Sequence, residues 1–396
     1  MRIGTTNSAE TGPEVLAILR DRDSENTVKG YLTERGVVDA RLLRGGVDDA
    51  VDFLGRERSP RLLIVDLSEN DDPVGELCRL TEYCDPRTRV IAVGDRNDVA
   101  VYRGLKELGV SEYFYKPLAF DLLAHACDPV FARTAEVSSP RAGRLIIVFG
   151  ARGGVGTTTI AVNTAWHLAE VMKRRVILLD LDLQAGDAVM HLDTKPSGSL
   201  SEALKSPDRV DNLLIERAVT RLTDRLDLLA SLEPFGEAAM PEEDAVLALT
   251  SKLQARYRYV VVDLPFWTAN RFNRLLNLPA TLVLVSDETL ASARDALRWK
   301  KQIETAPAGS GGSVLLLLNK AHAAGTLTDA GFENALGQKP DIIVPYQSQI
   351  AQAASLGQPA IAKSEGLRYG LTTLFRRFPG EGLAANGSLF RRVFRR

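Results

Sequence analysis

The chain has 396 residues, 45% of them hydrophobic and 25% charged, with a formal net charge of −2. That length predicts two domains of ordinary globular composition, and a charge so near zero excludes a general polyanion-binding field, so DNA is not an expected partner. The three cysteines (Cys78, Cys84, Cys127) and four histidines have neither zinc spacing nor a disulfide framework, which predicts reduced thiols in a cytoplasmic core.

Met1 to Pro13 is polar and lacks the apolar segment of a secretory signal, and no run approaches the roughly 20 apolar residues of a membrane span. The expectation is a cytoplasmic chain, neither exported nor inserted. Next, apolar runs at Val15 to Leu19, Ala40 to Leu43, Leu62 to Leu67, Arg89 to Val93 and Glu112 to Tyr115 alternate with helical stretches such as Thr27 to Glu34, Val47 to Leu54 and Val99 to Leu108. This is the pattern of a five-stranded, doubly wound, flavodoxin-like α/β domain over residues 1–135. It resembles a response-regulator receiver: Asp66 ends the third run like a phosphoacceptor, and Lys116-Pro117 follows the fifth. Two parts depart from that pattern. Gly94 stands where a receiver has a hydroxyl residue, and the acidic pair after the first strand is reduced to Arg20-Asp-Arg-Asp23. Because phosphoryl transfer to Asp66 would need Mg²⁺ held by carboxylates at fixed spacing, the expected role is interaction through the domain surface, in dimerisation or in reading a localisation cue.

Thr134 to Gly143 has the Pro, Ser and Gly content of a linker, which places the domain boundary at 136–143. Beyond it, Phe149-Gly-Ala-Arg-Gly-Gly-Val-Gly-Thr-Thr-Thr159 has the form of a phosphate-cradling loop. The pattern G-x-x-x-x-G-K-[ST] lets backbone N–H groups converge on phosphate oxygens while the lysine reaches the outer phosphates and the hydroxyl serves Mg²⁺. Gly150, Gly153, Gly154 and Gly156 keep the turn and Thr158 keeps the hydroxyl, but Thr157 occupies the lysine position. Leu145 to Phe149 reads as a strand, and Thr158 to Val171 as a helix with Ile160, Ala161, Thr164, Ala165 and Leu168 on one face, the context such a loop requires. The plain alternative is a strand-to-helix turn without a ligand.

Arg175 to Gln184 reads as a buried strand ending in Asp180 and Asp182, and Arg258 to Pro265 as another ending in Asp263. Carboxylates at the carboxyl ends of parallel strands sit where an open α/β sheet binds its ligand. Asp182 and Asp263 are therefore candidates, with Thr158, for Mg²⁺, and Asp182 for orienting the attacking water; the alternative is that each caps the following helix. Asp193 to Arg225 reads as a polar helical insertion that either faces the site or a partner or covers the sheet. Pro234 to Asp244 and Ala306 to Ser313 read as surface loops.

Taken together, Arg152-Gly-Gly-Val-Gly-Thr-Thr, Asp180-Leu-Asp-Leu-Gln-Ala-Gly-Asp187, Val262-Asp-Leu-Pro265, Asn319 at the end of the strand Val314 to Leu318, and Val344-Pro-Tyr346 resemble the deviant P-loop ATPases of the ParA/MinD superfamily. Within it, the resemblance is to the CpaE/TadZ pilus-assembly proteins, and it covers residues 144–378. It implies ATP and Mg²⁺ as ligands, with a nucleotide site formed by Gly150, Arg152, Gly153, Gly154, Val155, Gly156, Thr157, Thr158, Thr159, Asn319 and Pro345. It also implies an ATP-promoted homodimer in which Arg152 clamps the partner's phosphates. The implied role is an organiser of type IV (Flp/Tad) pilus assembly at the cytoplasmic membrane or cell pole, with the pilus machine and its secretion ATPase as partners. Losing the loop lysine removes a charge-assisted contact worth about 1.5–3 kcal/mol of binding, and losing a transition-state donor slows reaction about 100- to 1000-fold. Weak or absent hydrolysis is the expectation. A ParA-like partition motor and a nucleotide-free scaffold are the alternatives.

The end of the chain, 379–396, is a basic amphipathic tail. As a helix it would put Leu389, Phe390, Val393 and Phe394 opposite Arg391, Arg392, Arg395 and Arg396, the layout of a peripheral membrane contact.

Overall fold

The computed structural model describes residues 12–131, 142–196, 200–205, 210–234, 240–304 and 313–376. The amphipathic tail, most of the linker and nearly all of the loop expected at Ala306 to Ser313 lie outside the described residues. The chain divides into two compact units, Met1–Gly143 and Arg144–Arg396.

In the first unit, β1 (Val15–Leu19), β2 (Ala40–Arg44), β3 (Leu62–Asp66), β4 (Arg89–Gly94) and β5 (Glu112–Tyr115) form a parallel sheet in the order β2-β1-β3-β4-β5, the flavodoxin-like arrangement. Alternate residues of a strand face opposite sides, so Leu16 and Ile18 enter one core layer while Val15, Ala17 and Leu19 enter the other. Burial on both faces is why β1 and β3 read as unbroken apolar runs. Besides the helices Val47–Arg56 and Val99–Glu107, the doubly wound pattern includes Pro73–Thr81 and Phe120–Phe131, to which the sequence reading gives no bounds. The helix expected from Thr27 starts at Arg22 instead. Its first turn is polar, so apolar spacing misses it, but Asp21 caps it by accepting the Ser24 N–H at 2.7 Å.

The described residues of the second unit form eight strands: β6 (Arg144–Gly150), β7 (Val176–Asp180), β8 (Thr220–Arg221), β9 (Leu226–Leu229), β10 (Tyr259–Leu264), β11 (Thr281–Ser286), β12 (Ser313–Ala321) and β13 (Ile342–Pro345). Their order is β13-β12-β11-β6-β10-β7-β9-β8, parallel except for the antiparallel edge strand β8. β6 lies between β10 and β11, so the chain leaves it to build the sheet in both directions, and the crevice at its carboxyl end is a topological switch point.

The helix after the loop runs from Thr157 to Trp166 and then widens into a π-helical turn, His167–Val171, in which the Met172 N–H bonds to the His167 carbonyl at 3.0 Å. The insertion after Asp193 forms helices Leu200–Ala203 and Asn212–Ala218, with Leu200, Leu204, Ile215 and Ala218 in the core beside the β6 and β10 side chains; it covers the sheet. Within the stretch read as a loop up to Asp244, the helix Glu243–Gln254 has already begun. Among the described residues no helix is long and apolar enough to cross a membrane.

Candidate nucleotide site and receiver-like site

Residues 151–156 join β6 to the helix Thr157–Trp166, and the tightness of that turn depends on its glycines. A Cβ on Gly150 would lie 2.6 Å from Thr157 Oγ1 and 2.7 Å from the Arg152 carbonyl. Gly154 and Gly156 have φ of 81° and 92°, in the left-handed region. Gly156 is held from above as well: the Asn319 amide donates to the Val155 carbonyl at 2.8 Å, and its Nδ2 lies 2.4 Å from where a Gly156 Cβ would stand. The next residue, Lys320, donates its ammonium to the Gly154 carbonyl at 2.6 Å.

The end of β12 therefore fastens the loop through two carbonyls. Asn319 lies inside β12, which extends to Ala321, and its amide is committed to the loop backbone. Val155 is buried, Gly153 and Gly154 are exposed, and Thr157, Thr158 and Thr159 are half-buried at the helix N-terminus, where free N–H groups favour anions. Arg152 is half-buried and makes no hydrogen bond or ion pair among the described residues. Pro345 ends β13 opposite Ala321, and its Cγ lies 2.5 Å from a Cβ position on Gly366; no described contact joins it to the loop.

The acids converge because β7 and β10 are neighbours with Asp180 and Asp263 in register. Both are buried. Burial, followed by the charges of Asp182 and Asp187, lifts Asp263 to about 7 even though the Thr158 hydroxyl donates to it. Burial and the Asp263 charge likewise push Asp180 well above the ordinary carboxylate range, against N–H groups donated by Asp182 at 2.9 Å and Ala188 at 3.4 Å. Asp182 is half-buried, accepts the Ala185 N–H at 2.9 Å, and lies 3.5 Å from the Trp267 indole nitrogen. Carboxylates this far above their ordinary range lack positive charge. Hard oxygen donors from Asp182, Asp263 and Thr158 fit Mg²⁺.

Three features of this site escape sequence reasoning. Asp180 organises the turn after β7 instead of facing a ligand, as its two accepted N–H bonds require. Lys320 is legible only as an Asn-Lys pair after an apolar strand. Phe266 and Trp267, both exposed, flank the cradle, with the Phe266 ring 3.4 Å from a Gly153 Cβ position.

In the first unit, Asp66 ends β3 with no exposure. Its oxygens accept the Arg20 N–H (2.9 Å), the Ser68 N–H (2.9 Å) and the Lys116 ammonium (2.6 Å). Lys116 also pairs with Asp21 at 2.7 Å. Burial alone would lower Lys116 and raise Asp21, but their partners outweigh it: bonds to Asp21 and Asp66 raise Lys116, and Lys116 together with the Ser24 N–H and hydroxyl holds Asp21 at about 2. Asp23, the second acid of the expected pair, is exposed, because β1 ends at Leu19 and Asp21 takes the position beside Asp66. At Gly94 a Cβ would meet the Tyr113 hydroxyl at 2.5 Å; that hydroxyl donates to the Arg96 carbonyl at 2.8 Å. Tyr113 thus occupies the space a receiver's hydroxyl residue would use.

Comparison with known proteins places the second unit. Residues 143–291 match the family described as AAA domain. MinD, the septum site-determining protein, is 25% identical over 158 residues in Bacillus subtilis, spanning 39% of this chain and 58% of that protein. In Synechocystis it is 23% identical over 270 residues, spanning 64% and 98%. A ParA-family ATPase structure from Chlorobium tepidum superposes with a TM-score of 0.51 at 24% identity, covering 59% of this chain and 97% of that one. The Pyrococcus horikoshii MinD complexed with Mg-ADP gives 0.51 at 17%, covering 62% and 99%. The pilus assembly protein CpaE from Caulobacter crescentus is 29% identical over 30% of this chain and 94% of its own, with a TM-score of 0.26. With the glycine cradle at the carboxyl end of the central strand and the acids beside it, the second unit has the fold of the ParA- and MinD-type P-loop proteins.

Proposed function

We propose that the chain is an ATP-binding organiser that dimerises around nucleotide and hydrolyses it slowly. The observation that carries this reading is a complete backbone cradle, fastened by Asn319 and Lys320, with Thr157 at the lysine position. The loop N–H groups and the helix N-terminus bind phosphate. Mg²⁺ held by Thr158, Asp182 and Asp263 would neutralise phosphate charge, and Asp182 orients water. Arg152, uncommitted among the described residues, offers its planar guanidinium to the phosphates of a second copy. Without the loop lysine the bound state is long-lived, which suits a positional signal better than a motor.

The pilus assignment rests on the CpaE/TadZ-like motifs in the sequence. Its partners would be components of a type IV (Flp/Tad) pilus machine, including the secretion ATPase, at the cytoplasmic membrane or a cell pole. The receiver-like unit would act there as an interaction module without phosphorylation.

Equilibrium binding of labelled ATP, with and without Mg²⁺, tests the core of the proposal. Saturable, Mg²⁺-strengthened binding with phosphate release below about 1 s⁻¹ is expected. Absence of binding leaves a scaffold, and rapid release leaves a motor. Sedimentation should show an ATP-dependent dimer fraction that falls in Arg152→Ala.

A further inference from the structure

A second cluster, in the segments that follow strands β11 and β12, is not used by the nucleotide chemistry. Glu288 follows β11 by two residues and is fully buried. Its Oε2 accepts the His322 N–H at 2.6 Å and the Thr326 hydroxyl at 3.0 Å, while its backbone carbonyl accepts the Leu327 N–H at 2.9 Å. The other carboxylate oxygen, Oε1, is buried with no hydrogen-bond partner. A buried carboxylate oxygen without a donor is unfavourable unless positive charge reaches it, and no ion pair to Glu288 occurs among the described residues.

The segment wrapped around that carboxylate brings two more ligand types. His322 adopts a left-handed φ of 63°, and its Nε2 lies 3.0 and 3.3 Å from the two oxygens of Asp329, the first residue of the helix Asp329–Leu336. Ligand atoms from Glu288, His322 and Asp329 all lie within 4.8 Å of one another. Metal–ligand bonds of about 2.0–2.2 Å set tetrahedral ligand atoms a little over 3 Å apart, so the His322–Asp329 separation already suits two neighbouring ligands. An exposed His–Asp pair alone contributes little to stability, and it leaves the Glu288 oxygen unsatisfied.

We infer that Glu288, His322 and Asp329 form a binding site for a divalent transition metal of the zinc class, with Glu288 as the buried ligand and the exposed His322 and Asp329 at its entrance. One imidazole and two carboxylates form a mixed nitrogen and oxygen set that suits Zn²⁺ or Co²⁺ over Mg²⁺, which prefers six oxygens. The site is separate from the Thr158, Asp182 and Asp263 set. His322 follows Asn319 and Lys320 by three and two residues on the same segment, so a metal would brace the chain that fastens the phosphate loop.

Co²⁺ titration of the full-length, chelator-treated protein without nucleotide tests the site. A saturable visible ligand-field band, one Co²⁺ per chain, is expected, displaced by Zn²⁺ and unaffected by excess Mg²⁺. His322→Ala and Asp329→Ala, both at exposed positions, should each weaken Co²⁺ roughly tenfold to a hundredfold or more. Their folding is checked by circular dichroism, because Glu288→Gln alone could fail through loss of its own hydrogen bonds. No saturable band in the parent, or a band of unchanged strength in both variants, would overturn the inference. The second result would place the metal elsewhere. Neither outcome bears on ATP binding, which is measured separately.

Discussion

Gly156→Ala tests whether the phosphate loop is fastened from β12 as described. Three costs add. An alanine at φ 92° and ψ 31° carries a left-handed penalty of about 1–2 kcal/mol. Its Cβ would sit 2.4 Å from Asn319 Nδ2, and forcing that side chain aside costs about 1–3 kcal/mol. Displacing it also breaks the bond to the Val155 carbonyl, about 0.5–1.5 kcal/mol. Stiffening the unfolded chain returns about 0.4–1 kcal/mol. The net loss is about 1.5–6 kcal/mol, which in a unit of this size lowers Tm by on the order of 10 °C. All three tryptophans, Trp166, Trp267 and Trp299, lie in the second unit, so fluorescence-monitored urea unfolding reads that unit alone. The decisive variant is the double Gly156→Ala, Asn319→Ala. With the amide gone the added methyl has room and the lost bond is counted once, so the two losses should fall short of additivity by about 1.5–4.5 kcal/mol, the clash and the bond together. Additivity within about 0.5 kcal/mol would mean that Asn319 does not press on Gly156.

Lys320→Met keeps the aliphatic stem and removes the ammonium from the Gly154 carbonyl; a charge-assisted bond of about 1.5–3 kcal/mol predicts roughly ten- to hundredfold weaker nucleotide binding, and unchanged affinity by fluorescence titration would count against the clamp. Thr157→Lys should tighten ATP and speed phosphate release, and no change in either would mean that side chain does not reach the phosphates. A small phosphodonor should leave no Asp66-dependent adduct by intact mass, because Lys116 and two backbone N–H groups already occupy that carboxylate. His167, stacked on Phe375 at 4.7 Å, is held at about 4 by burial and by the Arg368 charge. The unfolded chain therefore binds a proton that the folded chain refuses, and stability falls as pH drops from about 6.5 to about 4, by on the order of 3 kcal/mol. Asp263, raised to about 7, acts with the opposite sign, so the test is the difference between parent and His167→Gln between pH 8 and pH 4.5; parallel profiles would refute the assignment.

What the sequence made legible was whatever rests on local pattern. Buried parallel strands announce themselves as apolar runs, so all five strands of the first sheet lie within a residue or so of their expected ends. The glycine loop was equally plain, because few other structures need four small residues between a strand and a helix. The helices Pro73–Thr81 and Phe120–Phe131 are not delimited by the sequence pattern. The first is short, opening with Pro73 after the Asp72 cap and carrying Gly75; the second has Pro129 near its end, so neither offers a clean helical period. The roles of Asp180, Lys320 and Tyr113 were illegible for another reason. Each depends on which strand lies beside which, and spacing along the chain does not encode that. Asp21 shows the same limit on a smaller scale: choosing between it and Asp23 requires knowing that β1 stops at Leu19.

Each unit carries a buried aspartate at or beside the carboxyl end of a central parallel strand, Asp66 as the last residue of β3 and Asp263 as the last but one of β10. Their surroundings separate them. Around Asp66 the positive charge is built in: Lys116 bridges it to Asp21, Arg20 pairs with Glu69 at 3.1 Å, and Tyr113 fills the space over Gly94. A metal entering there would have to displace an ammonium already held by two carboxylates. Around Asp263 the charges that act on it are those of Asp182 and Asp187, and the Thr158 hydroxyl donates to it; burial and those charges lift it to about 7. Binding a divalent ion there relieves repulsion instead of breaking an existing pair. Ligand-dependent behaviour is therefore expected to originate in the second unit, with the first presenting one fixed surface whether or not nucleotide is bound.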